Sequence, residues 1–200
     1  MNHNSSRGPE SSTAAAGGRQ ARPDSLQGED RERRAAVEAW LYRAATSRQT
    51  AAVEWTRQRI ALLTAGIVWD AVRVPYPQLG ADLERDAGPE QLRRRLYELQ
   101  VAGPVFCDPY RPFLYVLMPP GTDREWPRTL THMGVACLGG TRPYVHHLGV
   151  PRLDLISPPG PYWLSAPDGT GRLTDPQHLY QVLQAQAVVT AIPGAPQVIA

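Results

Sequence analysis

Five polar residues of this chain are of the types that do acid–base or metal chemistry and fall where strands are expected: Asp70, Asp108, Asp154, His146 and His147. Carboxylates gathered in a cleft beside histidine could hold a divalent ion or pass a proton. The spacing argues against it. Neighbouring side chains on a strand point to opposite faces, so His146 and His147 cannot both ligate one ion on a regular backbone. The two cysteines, Cys107 and Cys137, lack the Cys-x-x-Cys pairing that a zinc ribbon needs, and their apolar surroundings make them buried free thiols. Neither a Gly-x-Ser-x-Gly elbow nor a glycine-rich loop ending in Lys-Ser or Lys-Thr occurs. Gly139-Gly140-Thr141-Arg142 offers backbone donors and a guanidinium to a phosphate, although the same residues make an ordinary turn. No catalytic residue, metal ligand or cofactor is assigned.

Binding chemistry is better represented. Trp69, Tyr115, Tyr144, Tyr162 and Trp163 offer ring faces, with Arg73, Arg111, Arg142 and Arg152 close in sequence. Aromatic platforms beside guanidinium groups suit single-stranded nucleic acid or nucleotides. The candidate set is Arg73, Arg111, Arg142, Arg152, Tyr162 and Trp163. All 21 basic residues are arginine, yet the net charge is only +2, below what a dedicated duplex-DNA binder carries. Arg93-Arg94-Arg95 lies beside Glu90 and Glu98 and reads as a solvated helix face.

Those residues need a frame. Residues 1–29 hold a single leucine among Asn, Ser, Gly, Ala, Arg and Pro, too little apolar surface to offset the entropy of ordering, and read as a disordered tail. Residues 30–190 read as one α/β domain, and residues 191–200 as a frayed end. Neither a secretory signal nor a spanning apolar run is found, so a cytoplasmic protein without a membrane partner is expected. Val37, Trp40, Leu41 and Ala44 mark one face of a helix, and Val53, Ile60 and Leu63 suggest a second, over 50–63, stopped by Gly66. The pair reads as a helical hairpin or one bent helix.

Residues 67–74, rich in β-branched side chains, make the first expected strand. A helical period follows over 76–100, broken at Gly88-Pro89. Strands over 104–107 and 113–118, joined by Asp108-Pro-Tyr-Arg-Pro112, form a hairpin. A short helix over 125–133, strands over 135–138, 144–147, 152–156 and 161–164, and a final helix from the N-cap Asp175 to about Ala187 complete the series. Two apolar runs, 113–118 and 153–156, lead into Pro-Pro-Gly, which pins the backbone at two strand ends. The expected class is α/β (α+β): a mixed β-sheet with flanking helices, preceded by the helical hairpin and the tail.

The order of Trp69-Asp-Ala-Val-Arg-Val74, Tyr115-Val-Leu-Met-Pro-Pro-Gly121 and Leu155-Ile-Ser-Pro-Pro-Gly-Pro-Tyr-Trp163 resembles small actinobacterial proteins related to the N-terminal domain of bifunctional DNA primase/polymerases. The resemblance covers about residues 60–190 and is best at Ile156-Ser-Pro-Pro159 and Tyr162-Trp163. In that family an acidic pair on one strand binds divalent metal. Here the matching strand keeps Asp70 alone, with Arg73 beyond it, and two-metal phosphoryl transfer needs several carboxylates. The resemblance therefore implies a degenerate, non-catalytic copy: an accessory or regulatory module that retains nucleic-acid or nucleotide binding. The alternatives are a protein-interaction or dimerisation module presenting Trp40, Leu41 and Trp55 from the N-terminal helices, and a metal-dependent enzyme using Asp70, Asp108, His146 or His147.

Overall fold

The computed structural model describes residues 23–140 and 145–191. Helices α1 (Pro23–Tyr42) and α2 (Arg48–Gln58) precede strands β1 (Ile60–Thr64) and β2 (Asp70–Pro75). A single 3-10 turn, Tyr76–Gln78, and helix α3 (Pro89–Glu98) lead to strands β3 (Val105–Asp108) and β4 (Phe113–Met118). Then come the short helix α4 (Thr122–Glu125), a 3-10 segment Arg128–Met133, β5 (Ala136–Leu138), β6 (His147–Pro151), β7 (Tyr162–Ser165) and α5 (Pro176–Ala191). The chain is thus α+β, as its composition of segments implied. All strand pairings among the described residues are antiparallel: a five-stranded sheet in the order β5-β2-β4-β3-β7 and a two-stranded ribbon of β1 with β6.

Period-two alternation divides the five-stranded sheet between two cores. Val72, Val74, Leu114, Val116, Val105, Cys107, Tyr162 and Leu164 face a layer built by Leu92 and Leu96 of α3 and Leu179 and Leu183 of α5. Ala71, Phe106, Leu117 and Trp163 face the opposite way, onto Val37 and Leu41 of α1, Trp55 of α2, and Leu63, Leu148 and Val150 of the ribbon. Two indoles tie the ribbon down at adjacent carbonyls: Trp55 Nε1 donates to Val150 O and Trp163 Nε1 to Pro151 O, each at 3.0 Å.

Several boundaries differ from expectation for identifiable reasons. Helix α1 begins at Pro23, inside the segment expected to be a disordered tail, with proline at the first helical position where its missing N–H costs nothing. The rest of that segment, 1–22, and the end of the expected frayed terminus, 192–200, lie outside the described residues. Helix α2 starts on the N-cap Ser47, whose Oγ accepts from Thr50 N at 3.2 Å, but stops at Gln58 with Arg59 left-handed at φ 64°. The residues expected to continue it form β1, where Ala61 and Leu63 turn inward. Over 79–88 the expected helix is replaced by single turns that still bury Leu79 and Leu83.

The expected strand at 152–156 is a turn. Arg152 grips Asp154 with two hydrogen bonds of 2.6 Å across two residues, and Leu155 N bonds Arg152 O at 3.0 Å. The second Pro-Pro-Gly therefore follows a turn, and the first alone follows a strand, β4. Helix α3 secures the turn from below: the Arg93 guanidinium donates to Leu164 O at 3.2 Å, to Trp163 O at 3.3 Å and to Ile156 O. The expected N-cap of α5 is present, with Asp175 Oδ1 accepting from His178 N at 2.9 Å.

Candidate functional site

Strand register brings together one row of side chains that runs across the large sheet. Ala136, Arg73, Tyr115, Phe106 and Trp163 are successive cross-strand neighbours on β5, β2, β4, β3 and β7. Phe106 stacks on Tyr115 with centroids 4.8 Å apart and rings 10° from parallel, and meets Trp163 edge-on at 5.4 Å. The row is sealed at one end and open at the other. Trp163 and Phe106 are each about 1% exposed beneath the helical layer and ribbon, whereas Tyr115, Phe113 and Arg73 are part-exposed. Arg73 lies over the Phe113 ring, 4.7 Å from its centroid, and its Nε is enclosed with no hydrogen-bond acceptor. Arg111, exposed on the β3–β4 turn, completes the open end.

Asp108 closes that turn through Tyr110 N, 3.1 Å from Oδ1. Burial pushes the Tyr115 phenol above its usual range, and the Asp108 carboxylate adds to this while Arg73 and Arg111 oppose it. Tyr115 is therefore a neutral ring at physiological pH. Nothing here is an activated nucleophile or base. A flat aromatic face, a guanidinium already engaged with a ring, and a second, solvent-facing guanidinium form a surface that stacks and neutralises rather than reacts.

The sequence candidates divide accordingly. Arg73 and Arg111 belong to the open end. Tyr162 and Trp163 are corrected: both rings are about 1% exposed, Tyr162 in the α3–α5 core beside the Cys107 thiol and Trp163 bonded to Pro151 O, so neither presents a face to a base. Arg152 is consumed by Asp154 in the turn. Arg142 and Tyr144 lie outside the described residues. The surface expected on the N-terminal helices is also corrected, since Leu41 and Trp55 are core residues and Trp40 packs against the same core. Phe113 and Tyr115 supply the rings instead. Their signal was the alternation with Leu114 and Val116, which places them on one face opposite Arg73.

The carboxylates do not converge as an enzyme would need. Register sets Asp70 opposite Met118 and Asp108 opposite Phe113, five residues apart along β4, or about 17 Å. Asp154 sits in its turn, and His147 Nδ1 pairs with Thr64 Oγ1 at 3.3 Å. Among the described residues no three His, Cys, Asp or Glu side chains gather to hold a metal ion. Cys107 is buried and Cys137 partly so, both free, and burial pushes both thiols above their usual range.

One acidic corner was not foreseen. Asp70 is fully enclosed at the start of β2; its Oδ2 accepts from Asp123 N at 2.9 Å, and its Oδ1 has no donor. The Asp123 carboxyl, on α4, lies within hydrogen-bonding reach of it. Enclosure, assisted by the neighbouring Asp123 charge, raises the Asp70 carboxyl from 3.8 to about 6, against the pull of the Asp123 and Gly121 backbone N–H groups. The walls are tight. A Cβ at Gly139 would collide with the Asp123 carboxyl, and one at Gly66, whose φ is 90°, would run into the Gly140 backbone at 2.3 Å.

No helix among the described residues is long and apolar enough to cross a membrane. No family model, no curated protein and no solved structure matches this chain.

Proposed function

We propose that this chain is a non-catalytic binding module whose ligand is single-stranded nucleic acid or a nucleotide, taken on the open end of the sheet by Tyr115, Phe113, Arg73 and Arg111. The observation that carries this reading is the Arg73 guanidinium poised over Phe113 beside the part-exposed Tyr115 ring. Sheet-borne aromatics stack bases without regard to sequence, and each stacked base is worth about 1–3 kcal/mol. Arg111 supplies the phosphate contact that makes such binding fall with salt. The separation of Asp70 from Asp108 supports binding without phosphoryl transfer.

The test is a titration of a labelled single-stranded DNA with the full chain at low and moderate salt. Tyr115→Leu should weaken binding about 5- to 100-fold, and Arg111→Gln should flatten the salt dependence. Absence of binding at low salt, or binding indifferent to both substitutions, would remove the reading.

A further inference from the structure

Helix α4 and the start of α5 enclose a cleft of about 250 Å³ that the sheet-face reading does not use. Its walls are Trp126, Pro127, Pro176 and Tyr180, with Thr122 and Glu125 of α4 beside them. It lies across the sheet from Tyr115, because Trp126 and Tyr180 pack on the α3–α5 core and Tyr115 on the other. Sites that enclose a drug-sized molecule run to about 300–1,000 Å³, so this one suits a small head group rather than a whole cofactor. The structure assigns to this cleft the recognition of a quaternary or trimethylated ammonium group, seated between the Trp126 and Tyr180 rings and neutralised by Glu125.

The two rings meet edge to face, 83° apart, with centroids 6.1 Å apart. An edge set on a face leaves a corner bounded by a face of each ring, and aromatic faces attract cations. Neither ring brings a free polar group to that corner. The Tyr180 hydroxyl is engaged by Thr129 Oγ1 at 3.1 Å and accepts from Gln184 Nε2 at 2.7 Å, which also keeps the ring from swinging. Trp126 Nε1 is enclosed, so the indole offers ring carbon to the cleft rather than its N–H. Glu125 is the one charged side chain lining the space among the described residues; it is exposed, and its carboxylate has no ion-pair or hydrogen-bond partner there. Unspent negative charge beside ring faces selects the ligand. An anion would be repelled by Glu125, and an apolar chain would leave the carboxylate unused. A primary ammonium would bring three N–H donors to walls that are mostly carbon, whereas a methylated ammonium spreads its charge over an apolar surface with no N–H to satisfy.

The test is a titration of the intact ¹⁵N-labelled chain with choline chloride, against sodium chloride at equal ionic strength. The Trp126 indole signal is identified by its loss in Trp126→Phe. It should shift saturably with a dissociation constant of about 0.1–10 mM, the range open to a head group of this size. The neutral isostere 3,3-dimethylbutanol keeps the shape without the charge and should bind at least about 5-fold more weakly. Glu125→Gln should weaken choline about 3- to 10-fold and leave the isostere unchanged, and Glu125→Arg should abolish choline binding. Glu125 is exposed, so both variants keep the fold, which matching urea midpoints verify. A trimethyllysine amide in a parallel titration separates the sources of the head group: tighter binding than choline points to a modified side chain of a partner protein, weaker binding to a free solute. Absence of a saturable shift, equal affinity for the isostere, or choline binding that survives Glu125→Arg overturns the assignment.

Discussion

Asp70→Asn has a calculable effect on global stability. The carboxyl is fully enclosed, and its proton affinity rises from the 3.8 of an ordinary aspartate to about 6 on folding. The folded chain therefore binds the Asp70 proton more tightly than the unfolded chain. Its contribution is fully present below pH 3.8 and is lost as pH rises through about 6. Each tenfold change in proton affinity is worth about 1.4 kcal/mol, so the full effect is about 3 kcal/mol and wild type should lose about 2.4 kcal/mol of it between pH 4 and 7. Asparagine cannot ionise and keeps the acceptor for Asp123 N. The variant should match wild type near pH 4, exceed it by up to about 2.4 kcal/mol at pH 7.5, and show a flatter profile. Asp154 and Asp168, whose carboxyls are held below the usual range by Arg152 and Thr170, change stability in the opposite sense but only at more acid pH, so they do not obscure the window. Urea unfolding at half-unit pH steps, with equal slopes in denaturant, measures the difference. A wild-type profile that is flat or rising from pH 4.5 to 7, or an Asn variant less stable than wild type by the same amount at both ends, would refute the linkage.

Other substitutions test the frame that presents the sheet face. Trp163→Phe removes the donor to Pro151 O and leaves a buried carbonyl unpaired, which should cost about 2–3 kcal/mol in urea unfolding; a loss below about 0.5 kcal/mol would mean the ribbon is not anchored there. Arg93→Met withdraws a guanidinium from three carbonyls, so amide exchange over 154–164 should accelerate with a stability loss of about 1–3 kcal/mol. Unchanged exchange in that segment would show that the turn holds itself.

Local chemistry made some of this frame readable before any coordinates. The β3–β4 hairpin announced itself through Asp108-Pro-Tyr-Arg-Pro112, and the Asp175 cap marked the start of α5. The β1 strand was hidden because Val53, Ile60 and Leu63 fit a helical period; Val53 proves to be an exposed side chain, so the spacing was fortuitous. The sheet face was harder. Alternation says that Tyr162 and Trp163 point opposite ways and that Phe113 and Tyr115 point the same way, but which face a helix or ribbon covers depends on tertiary packing. Tyr162 and Trp163, the rings adjacent to the resemblance motif, went to two different cores, and the usable rings came from the neighbouring hairpin. The pairing of Asp70 with Asp123 joins residues 53 apart in sequence and no local pattern encodes it.

The ribbon's outer strand illustrates a different constraint on this chain, its behaviour among copies of itself. Ala61 and Leu63 pair inward with Val150 and Leu148, which leaves the Leu62 and Thr64 amides facing away from β6. Such amides are a template on which another molecule can add a strand. Here both are taken: Leu62 N by Glu54 Oε2 at 2.9 Å and Thr64 N by Ala44 O at 2.7 Å. With the Leu62 side chain 58% exposed beside them, this edge would otherwise combine open amides with an apolar surface, the pairing that seeds fibrils. A glutamate reaching over from α2 and a carbonyl just past the end of α1 thus close this border to strand addition, and Glu54, a side chain with no part in the fold's interior, caps the amide beside the exposed Leu62.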